Sequence, residues 1–148
     1  MTDILLKNFP FSTPIQIRFV DLDAFRHVNN ANYLTYCEVA RSIYWQKKIK
    51  WDWNTAGVII ARAEVDYLSP LTLKNNLRVY LRTSKVGNKS FELEYVLTSK
   101  QKEKQTIHAM AKTVCVCIDY KNNTTILIPE KQKKRMQVEL DEFVNKRS

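Results

Sequence analysis

Glycine is nearly missing from this chain: Gly57 and Gly87 are the only two in 148 residues. Loops that cradle phosphates need several glycines, where the backbone approaches a ligand or turns left-handed, and their absence weighs against a Rossmann or P-loop enzyme. Cysteine is scarce and odd in number, and Cys37, Cys115 and Cys117 all sit in apolar segments. They read as reduced, buried thiols rather than a disulfide framework. Cys115-x-Cys117 shares one strand face, but neither His27 nor His108 stands at ligand spacing, so the core reading outweighs a metal pair. No metal and no organic cofactor are expected. No hydrophobic run reaches the length of a membrane span, so membrane insertion is not expected. The opening residues, MTDILLKNFPFS, carry neither a basic n-region nor a long apolar core, and the expected location is cytoplasmic. Repeats, low-complexity tracts and linkers are absent, which leaves one domain over residues 1–148, with its core at about 13–130.

What is present is unevenly charged. Residues 1–70 carry eight Lys/Arg against seven Asp/Glu, whereas residues 71–148 carry sixteen against eight. Such an excess suits an anionic partner, either nucleic acid or a phosphate-bearing small molecule, although scattered lysines also serve as plain solvated surface. No helix-turn-helix pattern and no aromatic-basic sheet motif accompanies the charge, so nucleic acid is not expected as a partner.

Periodicity supplies the elements. Residues 14–20 alternate Ile15, Ile17 and Phe19 against Gln16 and Arg18, a strand at period two. Residues 30–48 place Tyr33, Cys37, Ala40 and Tyr44 on one helical stripe, with Asn29 or Asn30 as the cap and Lys47 and Lys48 closing the last turn. Trp51 and Trp53 follow in a loop suited to cover the helix end. Strands are expected at 57–67, 77–83, 90–97, 106–119 and 124–128, with the apolar 106–119 run at the centre of the sheet. Ala61 and Ala63 would let the helix lie close. A last helix is expected at about 130–144, with Met136, Leu140, Phe143 and Val144 inward. The whole is α+β: one long helix wrapped by a curved antiparallel sheet of five to six strands.

The chemistry concentrates at residues 18–41, RFVDLDAFRHVNNANYLTYCEVAR. Between the strand and the helix lie two aspartates, a histidine and two asparagines. A carboxylate set before a helix start meets unpaired N–H groups and a positive dipole end, which can polarise a carbonyl while the carboxylate activates water or attacks. Taken alone, Asp23 reads more simply as an Asx-turn. Asp21 sets the turn or pairs with Arg18. Glu38 defaults to an intrahelical pair with Arg41. The aromatics Phe25, Tyr33, Tyr36 and Tyr44 suggest an apolar pocket, although aromatic stripes at helical spacing are more often plain core.

The string from Asp21 to Arg41, D-L-D-x-x-x-H-V-N-N-x-x-Y-L-x-Y-x-E-x-A-R, resembles the signature of hotdog-fold acyl thioesterases, in their 4-hydroxybenzoyl-CoA thioesterase-like branch. It is also similar to acyl-ACP thioesterases over the same segment. The later stretches VDYLSPLTLKNNLRVYLRTSKVGNKSFELEY and AKTVCVCIDYKNN match that pattern in type and order. The resemblance implies the hotdog fold, a homodimer made by pairing sheets side by side, homotetramers of such dimers, and a site at the subunit interface. It implies Asp23 as the catalytic carboxylate and the amide at or beside Asn30 as the carbonyl-binding donor, with His27 and Asn29 in the same turn. Glu38 is a second catalytic candidate, since another branch draws its carboxylate from the helix. Tyr33 is a candidate substrate contact, and Arg82 and Lys89 are candidate contacts for CoA phosphates. Where the family usually has glycine, this chain has Arg26, which can alter the turn, narrow the acyl channel or reach a phosphate. The expected reaction is hydrolysis of an acyl-CoA or acyl-ACP thioester. A non-catalytic acyl-binding scaffold and a hotdog dehydratase are the rival readings.

Overall fold

The structure, a computed structural model, describes residues 5–147. In chain order it runs β1 (Phe11–Pro14), a 3-10 turn (Phe19–Asp21), α1 (Asn30–Tyr44), a π-helical turn (Trp45–Ile49), β2 (Gly57–Tyr67), β3 (Leu77–Val86), β4 (Ser90–Gln101), β5 (Lys104–Asp119), β6 (Thr124–Thr125) and α2 (Glu130–Arg147). The strands form one six-stranded sheet in the order β1-β3-β4-β5-β2, with β6 on β5, and every pairing is antiparallel. This is the expected hotdog arrangement, a curved sheet around one long helix.

Period two explains the core. Val79, Leu81, Leu93, Leu97, Ala109, Cys115 and Cys117 are all buried on the concave face, against the helical stripe Tyr33, Tyr36, Cys37, Ala40 and Tyr44. Burying each large apolar side chain contributes about 1.5–3 kcal/mol before entropy is set against it. The residue that lets α1 approach closely is Ala40 on the helix itself, with no exposed surface. Ala61 and Ala63 do not play that part: β2 is the sheet edge and both alanines are exposed.

Three other expectations shift. The first strand ends at Pro14, not Val20, because its partner β3 begins at Leu77 and offers no ladder beyond the Ile15 N–H to Leu77 C=O bond. Ile15 and Ile17 still alternate inward as extended chain. Second, β5 is the longest strand at 16 residues and lies inside the sheet, but β4 holds the centre. Residues 95–99 of β4 are buried at every position, since Leu6 and Phe9 cover the convex side at Val96. Third, α1 continues past Tyr44 as a π-turn closed by Lys50 in the left-handed region at φ 56°. Trp45 and Trp51 pack there at 5.7 Å between ring centroids, and Trp51 lies 5.7 Å from Phe91, so the aromatic cover over the helix end is formed as expected.

Besides a slip in β3 at Ser84, between Thr83 and Lys85, two one-residue slips punctuate the ladders. One lies in β2 at Ala61, between Ile60 and Arg62. The other lies between β4 and β5, where Leu97 faces Ala109 and Thr98 faces Ile107, leaving His108 without an opposite number.

The last helix, α2, is anchored through a half-buried carboxylate. Glu139 Oε1 accepts the Tyr44 hydroxyl at 2.7 Å and the Thr83 N–H at 3.0 Å. Burial pushes the Glu139 carboxyl up, against the pull of those donors. Met136 is fully buried beneath it, whereas Val144, expected inward, is exposed. Met136→Ala should therefore cost about 2–5 kcal/mol in urea unfolding, while Val144→Ala should stay within about 0.5 kcal/mol. Equal effects would mean that α2 is not part of the core.

Candidate active site

The link between β1 and α1 is a small hairpin stapled by one buried carboxylate. Asp21, 1% exposed, accepts the Arg18 guanidinium at 2.8 Å, the Arg18 N–H at 3.0 Å and the Tyr36 hydroxyl at 2.7 Å. Burial alone would raise its carboxyl, but these donors outweigh burial and hold it below the usual range. The Asp21 carbonyl accepts the Asn29 N–H at 2.8 Å and the Asn32 side-chain amide at 3.1 Å. Asp21 is thus the fixed point of the turn, paired with Arg18 as its spacing predicts.

Two residues further out, the Asp23 N–H donates to the His27 carbonyl at 2.7 Å, and a bridge joins Leu22 to Val28. Asp23 Oδ1 accepts the N–H of Phe25 at 2.8 Å and of His27 at 3.2 Å, so the Asx-turn is formed. Oδ2 has no protein partner among the described residues. The turn closes through Arg26 at φ 62°, a left-handed position where glycine carries no penalty and a side chain costs about 1–2 kcal/mol. Asn29 is the helix cap: its Oδ1 accepts the Ala31 N–H at 3.0 Å. Beside it the Asn30 N–H has no acceptor among the described residues, while the Asn30 carbonyl accepts the Tyr67 hydroxyl at 3.0 Å.

The turn opens onto a hollow of about 890 Å³, a size suited to a substrate-sized ligand. Asp23, Arg26, His27 and Lys74 supply its polar wall, and Phe19, Phe25 and Leu73 its apolar one. Phe19 and Phe25 are 79% and 81% exposed, unusual for aromatics with no role at a surface. Lys74 and Leu73 were invisible to sequence reasoning about the motif. They arrive from the loop before β3, tied to the turn by the Val28 N–H to Leu71 C=O bond at 2.8 Å.

The other predicted residues lie elsewhere. Tyr33 is buried and its hydroxyl accepts the Leu71 N–H at 3.2 Å, with its ring edge-on to Tyr67 at 4.9 Å. Glu38 is exposed on α1, and the ion pair with Arg41 is not made. Arg41 belongs to the buried stripe, donating to the Tyr95 hydroxyl at 3.1 Å and lying over the Trp45 ring. Arg82 is on the convex face, bound to Glu94 at 2.6 Å and stacked on Phe9 and Phe143. Lys89 is in the turn after β3, a whole strand of about 30 Å from the Lys74 end at ~3.3 Å per residue. Neither cation reaches the hollow of its own chain. A second groove, about 540 Å³, lies at the far end of α1 among Lys48, Lys131, Lys134 and Arg135. Its half-buried carboxylate, Glu139, is already committed to Tyr44 and Thr83. The thiols are inert: burial pushes Cys37 and Cys117 up to about 12 and Cys115 to about 11. Among the described residues no group of three or more His, Cys, Asp or Glu is placed to hold a metal ion.

A curved sheet around one long helix, with an acidic turn at the helix start, defines the hotdog class of thioester hydrolases. The chain belongs to the thioesterase-like superfamily, which it matches over residues 17–136. It is 28% identical over 128 residues to the long-chain acyl-CoA thioesterase FadM of Escherichia coli, covering 84% of this chain and 96% of that one. It is 32% identical over 90 residues to the uncharacterized protein YsmA of Bacillus subtilis, a match spanning 61% of that relative's length. Among solved structures, a Thermus thermophilus thioesterase complexed with coenzyme A and Zn superposes with a TM-score of 0.78 at 32% identity, covering 91% of this chain and 97% of that one.

The strain at Arg26 is directly testable. Arg26→Gly should be neutral or up to about 1 kcal/mol stabilising, because relief of the left-handed side chain offsets the added freedom of the unfolded chain. Arg26→Val, β-branched at positive φ, should destabilise by more than 1 kcal/mol (an order-of-magnitude figure) in the same urea titration. A destabilising glycine would show that the arginine side chain holds the turn.

Proposed function

We propose that this chain hydrolyses acyl-CoA thioesters in the hollow between the Asp23 turn and the Leu73–Lys74 wall. The observation that carries the reading is Asp23 itself: one carboxylate oxygen is committed to the turn, and the other is open at an apolar hollow beside a helix start. The acyl chain lies against Phe19, Phe25 and Leu73. Arg26 and Lys74, which both line the hollow, hold the phosphates of coenzyme A, in place of Arg82 and Lys89. The thioester oxygen points to the Asn30 amide, where the helix dipole favours developing negative charge. Asp23 then takes a proton from water, whose oxygen adds to the carbonyl as the thiolate leaves. Alternatively it attacks directly, giving a mixed anhydride that water opens. His27 and Asn29 order the turn. No cofactor is called on in either route.

The working unit is a pair of chains joined along β2. That strand is an eleven-residue edge with Ile59, Ile60 and Tyr67 exposed, a template that solution proteins rarely leave open. A second pairing to a tetramer is the further expectation, and light scattering on the purified protein reads the stoichiometry. Three buried, unpaired thiols suit the reducing cytoplasm.

The Asx-turn favours one rival, an acyl-binding scaffold in which Asp23 is purely structural. Asp23→Asn separates the two, because its side-chain oxygen can still accept both turn N–H groups while the charge is gone. The expected result is a fall in kcat of at least 100-fold with a melting temperature near wild type, measured by free-thiol release from a panel of acyl-CoAs. Near-wild-type turnover would leave Asp23 as structure alone. Single turnover in ¹⁸O-labelled water distinguishes base from nucleophile: label entering the Asp23 carboxylate marks the anhydride route. Acyl-ACP in the same assay tests the alternative carrier.

A further inference from the structure

His108 is the one histidine of this chain that the sequence motif does not absorb, and it is 2% exposed. The slip between β4 and β5 makes it a bulge residue, and bulges re-aim side chains beside functional sites. Its carbonyl accepts the Leu68 N–H at 2.9 Å and the Ser69 N–H at 3.1 Å. Its Nδ1 faces the Pro70 carbonyl at 3.0 Å and the Ser69 carbonyl at 3.2 Å. Both are acceptors, so Nδ1 carries the proton. Nε2, at 2.7 Å from Ser99 Oγ, therefore accepts the serine hydroxyl. Ser99 Oγ in turn receives the Asn75 side-chain amide at 3.3 Å, and Asn75 Oδ1 holds the Thr72 N–H at 2.8 Å.

Between these anchors lies Leu71, which holds both sides of the helix start: its carbonyl takes the Val28 N–H and its N–H binds the Tyr33 hydroxyl. The same loop continues into Thr72, Leu73 and Lys74, one wall of the hollow. We propose that His108, as a neutral imidazole, is the positioning residue that clamps the 69–72 loop and through it sets the catalytic turn, a proposal that rests on the reading of Asp23 given above.

Protonation would work against the clamp. An added proton on Nε2 faces a serine oxygen that already receives Asn75, and the serine hydroxyl loses its acceptor. Burial pushes the imidazole below its ordinary value, the Ser69 and Pro70 carbonyls push it back up, and no charged side chain acts on it. The titratable groups tied to this loop are the Tyr33 phenol, which accepts the Leu71 N–H, the Tyr67 phenol edge-on to it, and Lys74, two residues beyond Thr72. Because the folded imidazole takes its proton less readily than the unfolded one, the unfolded chain binds more protons as pH falls below about 6.5, and stability declines from there downward.

The test is the pH dependence of kcat and KM from pH 8 to 5 for the wild type, His108→Asn, His108→Leu and Ser99→Ala, with Asp23→Asn alongside. The chain has two histidines, so the His108 ring signal is assigned in nuclear magnetic resonance by its loss in the asparagine variant. The wild-type kcat should fall on acidification in step with that signal. His108→Asn keeps an N–H donor for the Pro70 carbonyl but cannot be protonated; it should hold kcat within about threefold at pH 8 and lose that acid limb. Ser99→Ala removes the donor that favours the neutral ring, so the limb should move to higher pH. His108→Leu should lose about tenfold in kcat. If Asp23→Asn is inactive while the acid limb survives unchanged in His108→Asn and Ser99→Ala, this proposal is overturned, whether or not the leucine variant folds. An active Asp23→Asn overturns the reading of the turn, and this proposal with it.

Discussion

The buried carboxylate of Asp21 is the constraint on which the rest of the molecule turns. It satisfies a main-chain donor, a guanidinium and a phenol at once, and its backbone carbonyl satisfies the residues at the helix start. A charge so enclosed is stable only when every lone pair is met, so the strand end, the turn and α1 have a single mutual arrangement. The exposed chemistry at Asp23 and His27 sits on a rigid base for that reason. A loop of this length held only by its own turn would sample several shapes. Held by Asp21, it presents one.

Around that base the fold divides labour between two faces of the sheet. The concave face takes the long helix and carries nearly all the large buried side chains. The convex face is closed locally, by Leu6 and Phe9 and by Arg82 lying flat between aromatic rings. Arg82 shows how a cation can serve as packing: its stem and planar head cover apolar surface while Glu94 meets its charge. Arg41 does the same on the other side of the sheet. Two of the chain's eight arginines are therefore interior furniture, and the charge available to a ligand is smaller and more local than the composition suggests.

Much of this was legible in the sequence, and the boundary of legibility has a physical shape. Period two located β2 to the residue, and the helical stripe located the face of α1, because both patterns report which way side chains point. Neither pattern reports which strand lies opposite, so the early end of β1 and the central place of β4 were hidden. The turn from Asp21 to Asn30 was readable because its residue types serve local bonds: an aspartate accepting from Arg18, an asparagine capping the helix. Arg41, Arg82 and His108 were not, since their partners lie 54, 12 and 38 residues away, respectively. Arg26 departs from the glycine usual at that position, and its positive φ supplies the reason a glycine is usual there. The role of Lys74 depended on a contact between the loop before β3 and the turn, which no spacing rule encodes.

One extra residue, Ala61, has an outsized consequence. Before it, Val58 and Ile60 share the concave side with Cys117 and Cys115; after it, Ala63, Val65 and Tyr67 do, opposite Thr113, Ala111 and Ala109. The odd-numbered and even-numbered halves of the strand have exchanged faces. Were the same sequence to run without the bulge, Arg62, Glu64 and Asp66 would turn onto the concave side, and the Tyr67 ring and hydroxyl would swing away from Tyr33 and the Asn30 carbonyl. A single unpaired residue on an edge strand, far along the chain from the acidic turn, thus keeps a tyrosine on the start of the helix.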